Sequence, residues 1–254
     1  MKRIVVKVGS AVLTQDGAIA LERMRALVTF LAELKKDYEV ILVSSGAVAG
    51  GYTKLRLDRS VLANKQALAA IGQPVLMQKY ATKFEKHGIV TAQVLVTDAN
   101  LRRDNEIQKI KNTVDTLIAN GVIPIVNEND ATATDELEVG DNDQLSAYIT
   151  KHTVSDMLII LSDIDGYYNK DPRCHNDAQK LQTVHEIAPE ELEKDVTPNN
   201  IFATGGIVTK LKAAAYLLDN SIDMFLASGF DLSDVKSFML EKNHKGGTLF
   251  TKGV

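Results

Sequence analysis

Short apolar runs alternate with amphipathic segments along the whole chain, and that order leaves few architectures open. Ile4 to Val8 reads as a buried strand, followed by a helix over 20–36 with Leu21, Met24, Leu27, Val28, Leu31 and Leu34 on one face. Glu39 to Ser44 is a second strand, and the residues beyond Gly51 read as two helical stretches split near Gly72 and Pro74. Strands follow over 89–97, 122–126 and 157–161, with an amphipathic helix over 104–120 that aligns Ile107, Ile110, Val114, Leu117 and Ile118. A stretch rich in Pro, Asn and Asp, about 163–204, reads as irregular; helices over 206–218 and 233–242 then flank a strand over 222–227, and a short strand closes the chain at 248–250. Strand-helix alternation of this kind predicts an α/β chain, a three-layer αβα sandwich around a mainly parallel sheet. Ligands in such sheets bind at the carboxyl ends of the strands, and the polar motifs fall there. A seam near 150–155 divides the expected single domain.

The most polar of these strand ends is the run Val126-Asn-Glu-Asn-Asp130 through Val139-Gly-Asp-Asn-Asp143. Between 126 and 147 it holds seven carboxylates (Glu128, Asp130, Asp135, Glu136, Glu138, Asp141 and Asp143) and no lysine or arginine. Asp141 is a good helix N-cap, with Asp143 in the first turn. A solvated acidic loop before a capped helix explains Asp141 alone. It does not explain paired Asn and Asp groups at both ends of the run, which suit magnesium, a substrate ammonium group or the orientation of catalytic lysines.

The cations that answer this run are few and must be placed individually. With 29 basic against 33 acidic residues the net charge is −4, which argues against broad binding to nucleic acid or to anionic membrane. The apolar run after Met1 stops at Lys7, and none approaches membrane-spanning length. The single Cys174 allows no internal disulfide, so a cytoplasmic chain is expected.

Glycines mark where an anion can approach the backbone. Lys7-Val-Gly9-Ser10 ends the first strand and Ser44-Ser45-Gly46 the second; singly, each is an ordinary tight turn. Thr204-Gly205-Gly206-Ile-Val-Thr-Lys210 precedes a helix start, so free N–H groups and Lys210 can face phosphate there, although a glycine-initiated surface helix with a solvated lysine reads equally well. Neither a Walker A sequence nor a G-x-G-x-x-G fingerprint occurs, and the five histidines show no metal spacing. Tyr168 to Arg173 reads as a turn or as part of a nucleotide pocket.

Together with Leu161-Ser-Asp163, Lys170-Asp-Pro-Arg173 and Gly247-Thr-Leu-Phe250, these motifs resemble the amino acid kinase superfamily, and within it the glutamate 5-kinase family. The resemblance spans almost the whole chain; its acidic loop is not shared by acetylglutamate or uridylate kinases. It implies ATP and magnesium as cosubstrates and phosphorylation of the side-chain carboxylate of L-glutamate, the first step toward proline. By position, Lys7, Lys210 and Asp143 would be catalytic, and Ser45, Asp130 and Asn142 would contact L-glutamate. Lys7, Ser162, Asp163, Thr204, Gly205, Gly206, Ile207, Val208, Thr209 and Lys210 would hold the nucleotide. Magnesium would be held mainly by the ATP phosphates, with Asp143 a possible ligand. An acceptor lobe over about 1–152, a nucleotide lobe over about 153–254, feedback inhibition by proline and assembly as a homodimer or tetramer are implied as well. Many family members carry a C-terminal PUA domain, for which this sequence has no counterpart.

A carboxylate acceptor, with a pKa of about 4.3, is already a nucleophile at neutral pH. The chemistry therefore asks for no histidine base, only for cations between acceptor and γ-phosphate. Two other readings stay open: a related kinase of the acetylglutamate or uridylate type, and a non-catalytic amino-acid sensor.

Overall fold

The computed structural model describes residues 1–132, 142–193 and 206–253. Its elements are, in chain order, β1 (Lys2–Val8), α1 (Ser10–Leu13), β2 (Thr14–Gln15), β3 (Ala18–Ile19), α2 (Leu21–Leu34), β4 (Tyr38–Ser44), α3 (Ala47–Tyr52) and α4 (Leu62–Glu85). There follow β5 (Thr91–Val96), α5 (Asp98–Leu101), α6 (Asp104–Ala119), β6 (Ile123–Glu128), α7 (Asn142–His152) and β7 (Met157–Ser162). The last third holds β8 (Tyr167–Tyr168), β9 (Lys180–Leu181), β10 (Thr183–Val184), α8 (Pro189–Leu192), α9 (Ile207–Asp219), β11 (Asp223–Ser228), α10 (Ser233–Met239) and β12 (Thr248–Phe250).

Eight strands form one sheet in the order β10-β12-β11-β7-β1-β4-β6-β5, parallel throughout except where β12 runs against β11. β1 is central, covered on both faces: residues 4–8 are all buried, Lys7 being the one charged side chain among them, and β4 and β7 flank it in register. Period-two alternation sends Ile4, Val6 and Val8 into the core under α2, α4 and α10, and Val5 into the core under α7 and α9. The expected αβα sandwich is what forms. The strands before residue 152 make up one half of the sheet and those after it the other.

Two local expectations are corrected. The predicted split near Gly72 and Pro74 is absent, and α4 runs unbroken through Pro74. Gly72 is needed for contact rather than for a break: a Cβ there would lie 1.7 Å from the Ala47 carbonyl oxygen and 2.3 Å from the Gly51 nitrogen, so α3 and α4 touch backbone to backbone. Ala70 and Pro74 are both exposed, so the carbonyl that loses its helical donor at Pro74 is on the solvent side of α4. The second correction concerns the stretch expected to be irregular, in which β8 pairs with β9 and β10 joins the main sheet beside β12. Runs of two residues are too short to show a period. The proposed Asp141 cap lies outside the described residues.

Candidate active site

Parallel register brings the carboxyl ends of the strands to one edge: Val8 is level with Ser44 and Leu161, and Ser162 with Ser228. Gly46 turns the chain there with φ of +106°, a conformation natural to glycine, and α3 starts at once.

Lys7 is second from the end of β1 and shares the face of Val5, the face that α7 and α9 cover. Its Nζ donates to Asp143 Oδ1. Asp143 Oδ2 accepts from Lys210 Nζ at 3.1 Å and from Thr209 Oγ1 at 3.0 Å. Asp143 is 0% exposed and the two lysines 3% each. The Asp143 carboxylate also occupies the first turn of α7, where the helix dipole favours negative charge. One carboxylate thus holds two buried ammonium groups together at the carboxyl edge of the sheet, and cations fixed in such a place suit an anion. The solvated alternative for Lys210 is thereby removed.

The clasp bears on metal binding as well. Both Asp143 oxygens already accept from lysine or threonine, and no group of three or more metal-type side chains occurs among the described residues. Among the described residues, then, there is no protein cage for magnesium, and a magnesium ion at the clasp fits as a companion of nucleotide phosphates.

Ser45 and Asn142 meet directly: Asn142 Nδ2 donates to Ser45 Oγ at 2.7 Å, and also lies 3.3 Å from the Ser44 carbonyl oxygen and 3.1 Å from Asn127 Oδ1. Asp130 is not in that contact. It lines an adjoining cavity of about 160 Å³ with Ala47, Gln73, Pro74, Gln93 and Glu128; Gln73 accepts from Asn127, which in turn accepts from Asn142. Among the described residues neither acid of this cavity is paired with a lysine or arginine. Burial pushes the Asp130 carboxyl up to about 6; burial, reinforced by Asp130 and Asp98, pushes Glu128 up to about 7. A cationic ligand would relieve both.

On the nucleotide side, Ser162 is buried and its Oγ donates to Asp163 Oδ1 at 2.8 Å, while Asp163 itself is exposed. Gly206 caps α9, with Ile207, Val208 and Thr209 forming its first turn. Thr204, Gly205, Asp135, Glu136 and Glu138 lie outside the described residues. The Lys170-Asp-Pro-Arg173 loop is exposed, with Arg173 Nη2 2.8 Å from Asp171 Oδ2 and Lys170 Nζ 2.5 Å from Asp177 Oδ2. Sequence reasoning assigned no role to Asn127, Gln73, Gln93 or Glu128. Asn127 and Glu128 lay inside a motif already singled out, whereas Gln73 carries no signal except its place beside Gly72.

The lysine-carboxylate-lysine clasp lies at the carboxyl edge of the sheet, and the amino acid kinase family model matches residues 2–228. The chain belongs to the amino acid kinase family. Within it the chain stands with the glutamate 5-kinases: it is 52% identical to one from Leishmania donovani, with 98% of this chain and 95% of that relative covered. It is 51% identical to one from Wolinella succinogenes, with 100% and 99% covered. An isopentenyl phosphate kinase from T. acidophilum shares the fold at a TM-score of 0.67 and 17% identity, covering 98% of this chain and 99% of that one. A carbamate kinase from Giardia lamblia, bound to AMP-PNP, does so at 0.66 and 16%, covering 99% of each. Among the described residues no helix is long and apolar enough to cross a membrane.

Proposed function

We infer that the chain transfers the γ-phosphoryl group of ATP to the side-chain carboxylate of L-glutamate. The observation that carries the reading is the buried clasp of Lys7, Asp143 and Lys210. In the reaction a carboxylate oxygen of glutamate attacks the γ-phosphorus while the bond to the bridging oxygen of ADP breaks, giving an acyl phosphate and ADP. Negative charge gathers on the transferring group and on the ADP oxygen. Two ammonium groups already oriented by Asp143 need no reorganisation as that charge develops, which is the main source of such catalysis. Magnesium bound to the phosphates would add charge neutralisation of the same kind.

Ser45 and Asn142 are read as holding the acceptor, and Asp130 as pairing with its α-ammonium group, for which the cavity beside Glu128 has the right charge. Ser162, Asp163 and the start of α9 from Gly206 to Lys210 are read as the nucleotide side, with Thr204 and Gly205 preceding. On this reading the half of the sheet before residue 152 is the acceptor lobe and the half after it the nucleotide lobe. Cytoplasmic location, proline feedback and assembly as a dimer or tetramer are carried forward from the resemblance.

The purified protein should release ADP from MgATP only when L-glutamate is present, and hydroxylamine should trap the product as the γ-hydroxamate. ADP release that ignores glutamate, or that answers equally to N-acetylglutamate or a nucleoside monophosphate, would overturn the reading.

A further inference from the structure

Four side-chain amides form one chain from the acceptor residues to the outermost strand β5. Asn142 Nδ2 donates to Asn127 Oδ1 at 3.1 Å, Asn127 Nδ2 to Gln73 Oε1 at 3.0 Å, and Gln73 Nε2 to Gln93 Oε1 at 3.1 Å. A chain of amides can run in either direction, because each has a donor end and an acceptor end. Here two backbone groups decide it. The Glu128 N–H, which can only donate, points at Asn127 Oδ1 at 2.9 Å, and the Ser44 carbonyl, which can only accept, receives Asn142 Nδ2. Reversing either amide would set donor against donor or oxygen against oxygen.

The direction has a consequence at Ser45. Its Oγ accepts from Asn142 Nδ2, so its own hydrogen is left for another acceptor. Asn127 does not line the cavity, is 1% exposed, and shares its face of β6 with the core residues Ile123 and Ile125. An amide in such a place is tolerated only when fully hydrogen-bonded, and here its carbonyl oxygen takes two donors at once.

We propose that Asn127 is a positioning residue: acting through Asn142, it holds the amide orientation that makes the Ser45 hydroxyl a donor, so that the acceptor site selects a ligand presenting a carboxylate oxygen. The proposal rests on the reading of this site as that of a carboxylate kinase.

The test compares Asn127→Leu, which removes the acceptor, with Asn127→Asp, which keeps an oxygen for both Asn142 and the Glu128 N–H while Gln73 and the exposed Gln93 turn to suit. Asn127→Leu should raise the glutamate KM roughly tenfold, since Asn142 loses one of the acceptors that orient it and the part-buried Glu128 N–H loses its side-chain acceptor, with the ATP KM little changed. Asn127→Asp should recover most of that loss. An activity-independent readout is proton exchange at the Asn142 side-chain NH₂, followed by ¹⁵N NMR and assigned by its loss in Asn142→Asp. It should quicken in Asn127→Leu and slow again in Asn127→Asp. Should Asn127→Leu not fold, Gln73→Met removes the next link and should move both readouts the same way. Unchanged KM and exchange in the folded variant, or an Asn127→Asp protein as impaired as Asn127→Leu, would overturn the proposal. Absence of glutamate turnover in the natural protein would instead sink the functional reading, and the exchange measurement would still decide this one.

Discussion

Replacing Asp143 by asparagine removes the carboxylate that Lys7 and Lys210 share while keeping its shape. In the natural protein one carboxylate faces two ammonium groups, all with side chains 4% exposed or less. Asp143→Asn would take from Lys7 and Lys210 the buried carboxylate they share. Breaking a buried pair by deleting one partner costs about 3–5 kcal/mol, which for a chain of this size corresponds to a fall in Tm of roughly 6–20 °C. Lys7→Met should cost less than half as much, because Asp143 then still pairs with Lys210 at 3.1 Å and Thr209 at 3.0 Å. Asymmetry of this kind belongs to a carboxylate shared by two lysines and not to an ordinary ion pair. A non-hydrolysable ATP analogue should return part of the Asp143→Asn loss, since its phosphates supply the missing negative charge. Turnover should fall by roughly 10²–10³ in kcat, with a smaller change in glutamate KM. Differential scanning fluorimetry with and without nucleotide, alongside steady-state kinetics, measures all of this. A Tm shift of less than about 2 °C with unchanged kcat, or equal losses in the two variants, would refute the reasoning.

Three further outcomes are expected. Asp130→Asn should raise the glutamate KM roughly five- to a hundredfold by leaving the ligand's ammonium group unpaired, with the ATP KM little moved; an unchanged glutamate KM would remove Asp130 from the acceptor site. Glu128 and Asp130 hold their protons up to about 7 and about 6 against ordinary values of 4.5 and 3.8, so the folded chain binds more protons than the unfolded one in that window, and their contribution to stability falls as pH rises through it. L-glutamate binding should therefore release protons near neutral pH, seen by calorimetry in buffers of different ionisation enthalpy; no release would show that no cation enters the cavity. Gly72→Ala should lower stability by at least about 1–3 kcal/mol, because its Cβ would overlap the Ala47 carbonyl at 1.7 Å, and a thermal unfolding curve superposable on the natural one would contradict the close contact of α3 with α4.

The acceptor side was less legible than the clasp. Ser45, Asn142 and Asp130 are all in motifs, yet only the first two touch. Asp130 lines an adjoining cavity, linked to that contact by an amide chain whose members come from α4, β5, β6 and α7. Gln73 could not be recognised in advance, since a lone glutamine in an amphipathic helix looks like surface until the neighbouring helix is seen against Gly72. Pro74 misled for the same reason: proline weakens a helix locally, and packing of α3 on α4 outweighs it.

What the sequence determined by itself is what local periodicity can carry. Apolar runs and helical spacing specified the αβα order, and the motifs put Lys7, Asp143 and Lys210 near the ends of a strand and two helices. Only the tertiary structure decided that these ends converge. Lys7 and Asp143 are 136 residues apart in the chain and Asp143 and Lys210 67 apart, and no local pattern encodes such a distance. Their meeting depends on β1 lying between β4 and β7, on its even-odd alternation turning Lys7 toward α7 and α9, and on the two helices packing over that face. Charge on a residue is written in its side chain, but whether the charge is balanced, buried or exposed to a ligand is a property of what folds around it.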